Sequence, residues 1–556
     1  MEESHSRDAE ASDAGSKRGN WVTFPFMIGT LTGLTLASGG WTSNLIVIVY
    51  LIKEFNVKSI DATQISNVVN GFFNLSPIVG AIIADTFLGS FFVILVSSCV
   101  SLLTPSKFQI AVLFVAIAMA ATGSGGTRFT IATMGADQFD RPEDQGRFLD
   151  WYFFTIYTSS VISATAIVYI EESVSWGLGF VAANFIGLVI FLSGTHFYQR
   201  DKPRENHFLG LATVVIASIR KRKAILSLRN EDYHHQAETG MTQEVPVKMT
   251  NSSGMEVGIF TICIVLPRFD VGFLNRAALK TEGDGKPDGY IRSIWRLCTV
   301  HQVEDLKTLL RILPLWSSSI FLSTPIAIQG SLTVLQALTL DRQLGPDFKI
   351  PVGFFLVLAL ISAGLSLFII DQIICPLFHK LILRSLTPLQ RIGVVHVLNF
   401  LSMAVSALVE ARRLNAAHAD QHRSLEKANS AVPKSTLWLF PQIVLVGIGE
   451  AFQFPGQAEL YYQEFPVSLR GTATGIISLI FGIAFYLSAA FTDLLRRRTK
   501  WLPNNINNGR IDIVYWILSA VGLLNFVYYL GCAQRHEYQN LQKLEDGSIP
   551  TSDERS

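Results

Sequence analysis

Apolar residues in this chain come in long unbroken runs instead of alternating with polar ones. Twelve runs stand out: Val22–Ile52, Ile65–Ala84, Phe91–Leu103, Phe108–Met134, Phe148–Ile170, Trp176–Phe197, Leu306–Ala327, Val352–Ile374, Gly393–Val409, Leu437–Phe454, Thr474–Leu495 and Val514–Cys532. A segment of this kind satisfies its backbone in lipid only as a helix, and about 20 residues cross a hydrocarbon core of about 30 Å. The pattern therefore predicts an all-α polytopic membrane protein with about twelve spans, six on each side of a polar, basic stretch. The domains expected are a disordered cytoplasmic N-terminus (1–20), a six-helix bundle (21–198), a cytoplasmic basic linker (199–302), a second six-helix bundle (303–532) and a cytoplasmic tail (533–556).

Two segments break the pattern. The third run, FFVILVSSCVSLL, gives only about 20 Å of helix and does not cross alone without borrowing polar flanks, thinning the bilayer or forming a half-helix. Counting eleven spans instead would turn every later loop to the other side. The run Val257–Pro267, inside the linker, is too short for a span and is expected on the membrane surface, if it is not an oddity of the gene model.

Composition agrees with the membrane reading: 49% of residues are hydrophobic and 16% charged, with a mean hydropathy of +0.35. A net charge of +1, with Lys and Arg dispersed in loops, gives no basic face for nucleic acid. Five scattered cysteines form no C-x-x-C pair and no metal-ligand spacing, so neither a disulfide framework nor a metal or other cofactor is expected. The first twenty residues lack an apolar signal core, so Trp21 onward is read as its own insertion signal.

Seventeen Lys and Arg lie between Arg200 and Arg311, which the positive-inside bias places in the cytoplasm. Arg412-Arg413 and Arg496–Arg498 fall at nominally outer ends and weaken the bias in the second half. Two six-span halves around a cytoplasmic linker suggest bundles that rock about a midplane site. No P-loop is present, so a gradient has to drive the work. Glycines and prolines within spans, Gly71, Pro325, Gly447, Gly449 and Gly482 among them, permit close approach and bending, although such residues are common in membrane helices generally.

Ordered motifs then carry a resemblance over nearly the whole chain. Gly80-AIIAD-Thr86-FLG, Gly123-SGGTRF, Gly135-ADQFD, Pro388-LQRIG, Trp438-LFPQIVLVGIGEAF-Phe454, Tyr462-QEFP and Gly509-RIDIVYW resemble the plant nitrate transporter/peptide transporter family. That family is a branch of the proton-coupled oligopeptide transporters in the major facilitator superfamily. TRFTIAT, FLNRAALK, WRLCTVHQVEDLK and YQEFP are similar to its nitrate excretion subgroup, whose members pass nitrate, or in some cases chloride, passively out of plant cells. The resemblance implies a major facilitator fold and a plasma-membrane location.

Departures from the family pattern are as informative. Where the family's first helix carries its proton-coupling Glu-x-x-Glu-Arg/Lys motif, this chain has Leu31, Leu34 and Thr35, and no acidic residue lies between Trp21 and Lys53. Without those carboxylates the family's route for loading a proton is missing. Arg128 falls where the family places a basic residue on helix four, and Glu450 matches an acidic partner on helix ten. A charge at membrane depth costs about 2.5–3.5 kcal/mol on insertion scales, so such residues pair or line a wet cavity. A breakable Arg128–Glu450 bridge, with Arg128 also drawing in an anion, is the expected substrate-binding and gating element; a permanent structural ion pair is the alternative.

Asp85 and Arg141 resemble the family's cytoplasmic gate-loop charges, although Ser90 stands where a basic residue is usual. Asp371 and His396 are read as structural. The seventh-helix histidine of a nitrate-binding relative aligns near Ile326, so that mode of nitrate recognition does not carry over. Thr42, Asn44, Gln329, Gln442 and Tyr462 are further polar candidates, each also explained by packing. The expected function is alternating-access transport of a small inorganic anion, nitrate or chloride, without proton coupling and without enzymatic chemistry. The alternatives are a carrier of another organic substrate of the family and a non-transporting paralogue or regulatory protein. Oligomeric state stays open.

Overall fold

The computed structural model describes residues 20–38, 48, 52, 57–83, 91–96, 131–132, 134–139, 142–167, 176–198, 207–222, 233–234, 271–280, 295–343, 350, 354–382, 386–423, 432–465, 470–503 and 505–545. The short third run is described only over 91–96, which is helical, and Val257–Pro267 lies outside the described residues, so neither expectation meets a test.

In the first half, α1 covers Phe24–Ser38, α2 Ser59–Ile83, α3 Pro142–Ile162 and α4 Trp176–Ser193. A linker helix, α5, covers His207–Arg220. The second half holds α6 (Val300–Thr339), α7 (Phe354–Ile369), α8 (Cys375–Ile382), α9 (Pro388–Arg423), α10 (Phe440–Glu464), α11 (Arg470–Arg498) and α12 (Ile511–Glu545). A π-helical turn, Ile370–Ile374, joins α7 to α8. Among the described residues six helices are long and apolar enough to cross a membrane, and all six belong to this half.

Most helices outrun the apolar runs that announce them. The 40-residue α6 is about 60 Å long, twice a hydrocarbon core. Local signals set these ends. At the start of α6, Thr299 Oγ1 accepts from the Gln302 amide at 3.3 Å while Gln302 Oε1 accepts from the Thr299 amide at 3.2 Å. Thr387 and Gln390 make the same reciprocal pair before α9, both at 3.2 Å, followed by Pro388 as its first residue. These are capping boxes, each satisfying two amides that a helix N-terminus would leave bare.

The chain divides into two compact units. The larger comprises Met1–Pro203, Ser318–Gln463 and Gly471–Phe526; the smaller comprises Arg204–Ser317, Glu464–Arg470 and Val527–Ser556. In the larger unit, Leu365, Phe368, Ile373, Leu408 and Leu524 are more than half exposed. On membrane helices these are lipid-facing positions, since hydrocarbon is as apolar as leucine. Its interior is instead laced with polar groups. Gln329 Nε2 donates to Ser402 and Ser406 Oγ at 2.9 and 2.7 Å, and Gln442 Nε2 to Thr333 Oγ1 at 3.2 Å and Gln336 Oε1 at 3.3 Å. A short parallel pair, β1 (Leu340–Asp341) with β2 (Val432–Ser435), ties the end of α6 to the chain entering α10.

The arginines that weaken the charge bias are not loop charges. Arg413 is buried and grips Glu410 with two donors, Nε at 2.8 Å and Nη2 at 2.7 Å. Arg412 stacks over Trp438 at 5.2 Å. Arg496 pairs with Asp61 of α2, and Arg497 with Asp493 at 2.8 Å. Charges matched in this way carry little topological information.

Candidate substrate cavity

One cavity of about 330 Å³ lies in the larger unit, walled by α2, α3, α6, α7, α10 and α11. Aromatic rings form much of its surface. Phe454 of α10 stacks on Phe481 of α11 at 4.9 Å with a 12° interplanar angle, and Phe153 of α3 lies 5.8 Å from Phe454. The polar side chains are few: Asn74, Tyr157, Ser160, Ser323, Gln329, Thr333, Ser478 and Glu450. Ser478 Oγ is buried with no hydrogen-bond partner among the described residues. Few polar groups in an apolar, concave wall is the general character of small-molecule sites, and the volume is at the small end of their range of about 300–1,000 Å³.

Glycines bring these walls together. A Cβ at Gly447 would fall 2.7 Å from the Ser362 Cβ, so α10 lies directly on α7, an approach reinforced by Ser362 Oγ donating to the Val444 carbonyl at 3.0 Å. A Cβ at Gly482 would meet Leu75 at 2.9 Å and the Gly71 carbonyl at 3.2 Å, which sets α11 against α2. Nearby, Asn67 of α2 donates to Ser488 Oγ of α11 at 3.0 Å and accepts from Ser331 Oγ of α6 at 2.6 Å.

Glu450 reaches the cavity wall, and no hydrogen bond or ion pair joins its carboxylate to another described residue. Arg128, its expected partner, lies outside the described residues, as do Asp85, Arg141, Thr42 and Asn44. Leu31, Leu34 and Thr35 are buried at 1%, 8% and 8% exposure. None of the three is among the residues lining the cavity. Their helix is pressed onto α4, where a Cβ on Gly187 would lie 3.3 Å from the Gly33 Cα, the Leu34 nitrogen and the Thr30 carbonyl.

Of the secondary candidates, Ile326 lines the cavity, putting an apolar side chain where the resemblance sought a histidine. Gln329 lines it too, while Gln442 is buried in the polar network. Tyr462 donates to Asp137 at 2.9 Å. His396 is buried with Nε2 3.3 Å from Ser318 Oγ, and Asp371 is exposed, accepting from Gln372 at 2.8 Å. The aromatic lining is the element that sequence reasoning missed. Phe481 and Phe485, one turn apart on α11, are its signal, but in an apolar span they look like any lipid-facing pair.

Comparison with known proteins places this geometry. A family model described as PTR2, POT family, matches residues 78–508. The chain is similar to NRT1/PTR FAMILY 2.7 of Arabidopsis thaliana, 48% identical over 98% of each chain, and to NRT1/PTR FAMILY 2.3 of the same plant, 46% identical over 98% of each. Among solved structures it is similar to the POT family transporter PepTSo, with a TM-score of 0.62 at 15% identity, covering 94% of this chain and 99% of that one. This last likeness is one of fold, and it bears out the all-α major facilitator architecture.

Proposed function

We propose that this chain, which belongs to the POT family in its plant NRT1/PTR branch and is a multi-pass membrane transporter, carries a small inorganic anion passively. Nitrate is the first cargo and chloride the second. The observation that carries this reading is the state of α1: its coupling positions are Leu31, Leu34 and Thr35, buried in helix packing and outside the cavity lining. With no carboxylate there to load and release a proton, the electrical gradient supplies the drive. A membrane potential negative inside contributes about 2.3 kcal/mol per 100 mV toward anion exit, and the plasma membrane of a plant cell supplies such a potential.

Glu450 sets a condition on this reading. A bare carboxylate 4 Å from an anion repels it by about 4 kcal/mol at an effective dielectric of 20. Arg128 therefore has to neutralise Glu450 for the anion to enter, and the Arg128–Glu450 bridge is part of the proposal. Efflux of isotopically labelled nitrate and chloride from loaded cells, at matched surface expression, tests it with Arg128→Ala alongside the wild type. Flux in the wild type and none in the variant is expected; normal flux through Arg128→Ala removes the site assignment.

A second reading rests on the aromatic wall. Phe153, Phe454 and Phe481 suit an organic substrate of the family better than a hydrated ion. Competition of nitrate efflux by aromatic organic acids separates the two, since an aromatic cargo would suppress the flux at concentrations where chloride does not.

A further inference from the structure

The linker helix α5 has two apolar faces, and among the described residues only one has a protein partner. Gly210, Thr213, Val214, Ala217 and Ser218 are buried. That face meets the 3₁₀ turn Val271–Ala277 together with Val300, Val303 and Leu306 of α6. Thr213 Oγ1 accepts from Cys298 Sγ at 3.7 Å, and Ser218 Oγ donates to the Val214 carbonyl at 2.7 Å. The other face holds Ala212, Val215 and Ile219, all exposed, the last two at 41% and 59%. Spacings of three and four put these side chains in one stripe, where a helix facing water would carry polar residues.

Charge and position say what covers the stripe. It runs into Arg220, Lys221 and Arg222 at the C-terminal end of α5, and Arg220 Nη1 donates to the carbonyl of Trp295, itself 37% exposed, at 3.4 Å. Apolar side chains bordered by cations and a tryptophan match a bilayer surface, apolar beneath and anionic at the headgroups. The height agrees. The partner of α5 is the first three turns of α6, charged at Glu304, Asp305, Lys307 and Arg311, before its apolar stretch begins at Ile312. Leu306 lies about 9 Å along the helix from Ile312, at the outer edge of the headgroup layer, which is about 5–8 Å deep on each side of the hydrocarbon core. The seventeen cations between Arg200 and Arg311 favour the cytoplasmic leaflet, the side that carries anionic lipid.

We infer that α5 is an interfacial helix that docks on anionic phospholipid through Ala212, Val215 and Ile219, with Arg220 and Arg222 on the headgroups. The surface is independent of the cargo, so nitrate transport and lipid docking stand or fall separately.

The test is maleimide labelling of full-length Ile219→Cys reconstituted in liposomes of neutral phosphatidylcholine, with and without phosphatidylglycerol. The parent protein supplies the background; burial pushes the Cys298 thiol up, which keeps that residue slow. Labelling is expected to be severalfold slower in the anionic liposomes. Each cation near an anionic surface contributes roughly fivefold to binding, so Arg220→Gln with Arg222→Gln forfeits up to about 25-fold and erases the difference. Ala212→Cys reads the same stripe should Ile219→Cys not fold. Equal labelling in the two compositions, fast because water covers the stripe or slow because protein does, overturns the inference.

Discussion

Two acidic residues of the second half, Glu410 on α9 and Glu450 on α10, occupy opposite situations. Glu410 is fully buried and saturated: Arg413 grips both its oxygens, and Gln336 Nε2 adds a third donor at 2.7 Å. The arginine is anchored in turn through Nη1, which donates to Thr339 Oγ1 at 3.1 Å and Asn507 Oδ1 at 2.5 Å. Glu450 lines a cavity with no such partner among the described residues. A buried ion costs several kcal/mol of desolvation unless it is paired and hydrogen-bonded. At Glu410 that cost is met within the fold, which makes the residue part of the wall. At Glu450 no described residue meets that cost, which is why we propose the residue as part of the working site.

The contrast breaks first at the arginine. Arg413→Ala leaves Glu410 buried and alone, and thermal unfolding in detergent should report a loss of about 3–5 kcal/mol. Gly482→Val pushes a side chain into Leu75 and the Gly71 carbonyl and is expected to cost about 1–3 kcal/mol. Because α11 also carries Ser478 and Phe481, its nitrate flux should fall as well. Glu450→Gln should leave the melting temperature nearly unchanged. Its anion KM should drop about tenfold, the equivalent of 1.4 kcal/mol, as Arg128 loses its competitor for the anion. A large loss of stability there would make Glu450 a second Glu410. The smallest effect belongs to the polar network, where Ser406→Ala removes an acceptor from Gln329 and should cost about 1 kcal/mol.

Much of the fold was legible because lipid allows so few solutions. Unbroken apolar runs mean helices, and the six runs of the second half all return as membrane-length helices. Their ends were less legible: the turns of α6 before Leu306 are charged, and only the Thr299–Gln302 capping box marks the start. Arg413 misled the charge count because its partner, Glu410, is one turn away on the same helix and looks like an exposed surface pair. Glu450 was legible as a rare charge at depth, and Leu31 and Leu34 as absences against a motif. The aromatic wall was not, since phenylalanine in a membrane helix faces lipid, a neighbour or a cavity with the same sequence signature.

The most direct test of the central claim is simultaneous measurement of nitrate and proton flux in liposomes holding the purified protein, with the membrane potential clamped by potassium and valinomycin. Nitrate efflux that rises with inside-negative voltage, is unchanged when the proton gradient is abolished and moves no protons is the predicted result. Nitrate movement that carries protons in fixed proportion, or stops when the proton gradient is removed, would contradict it.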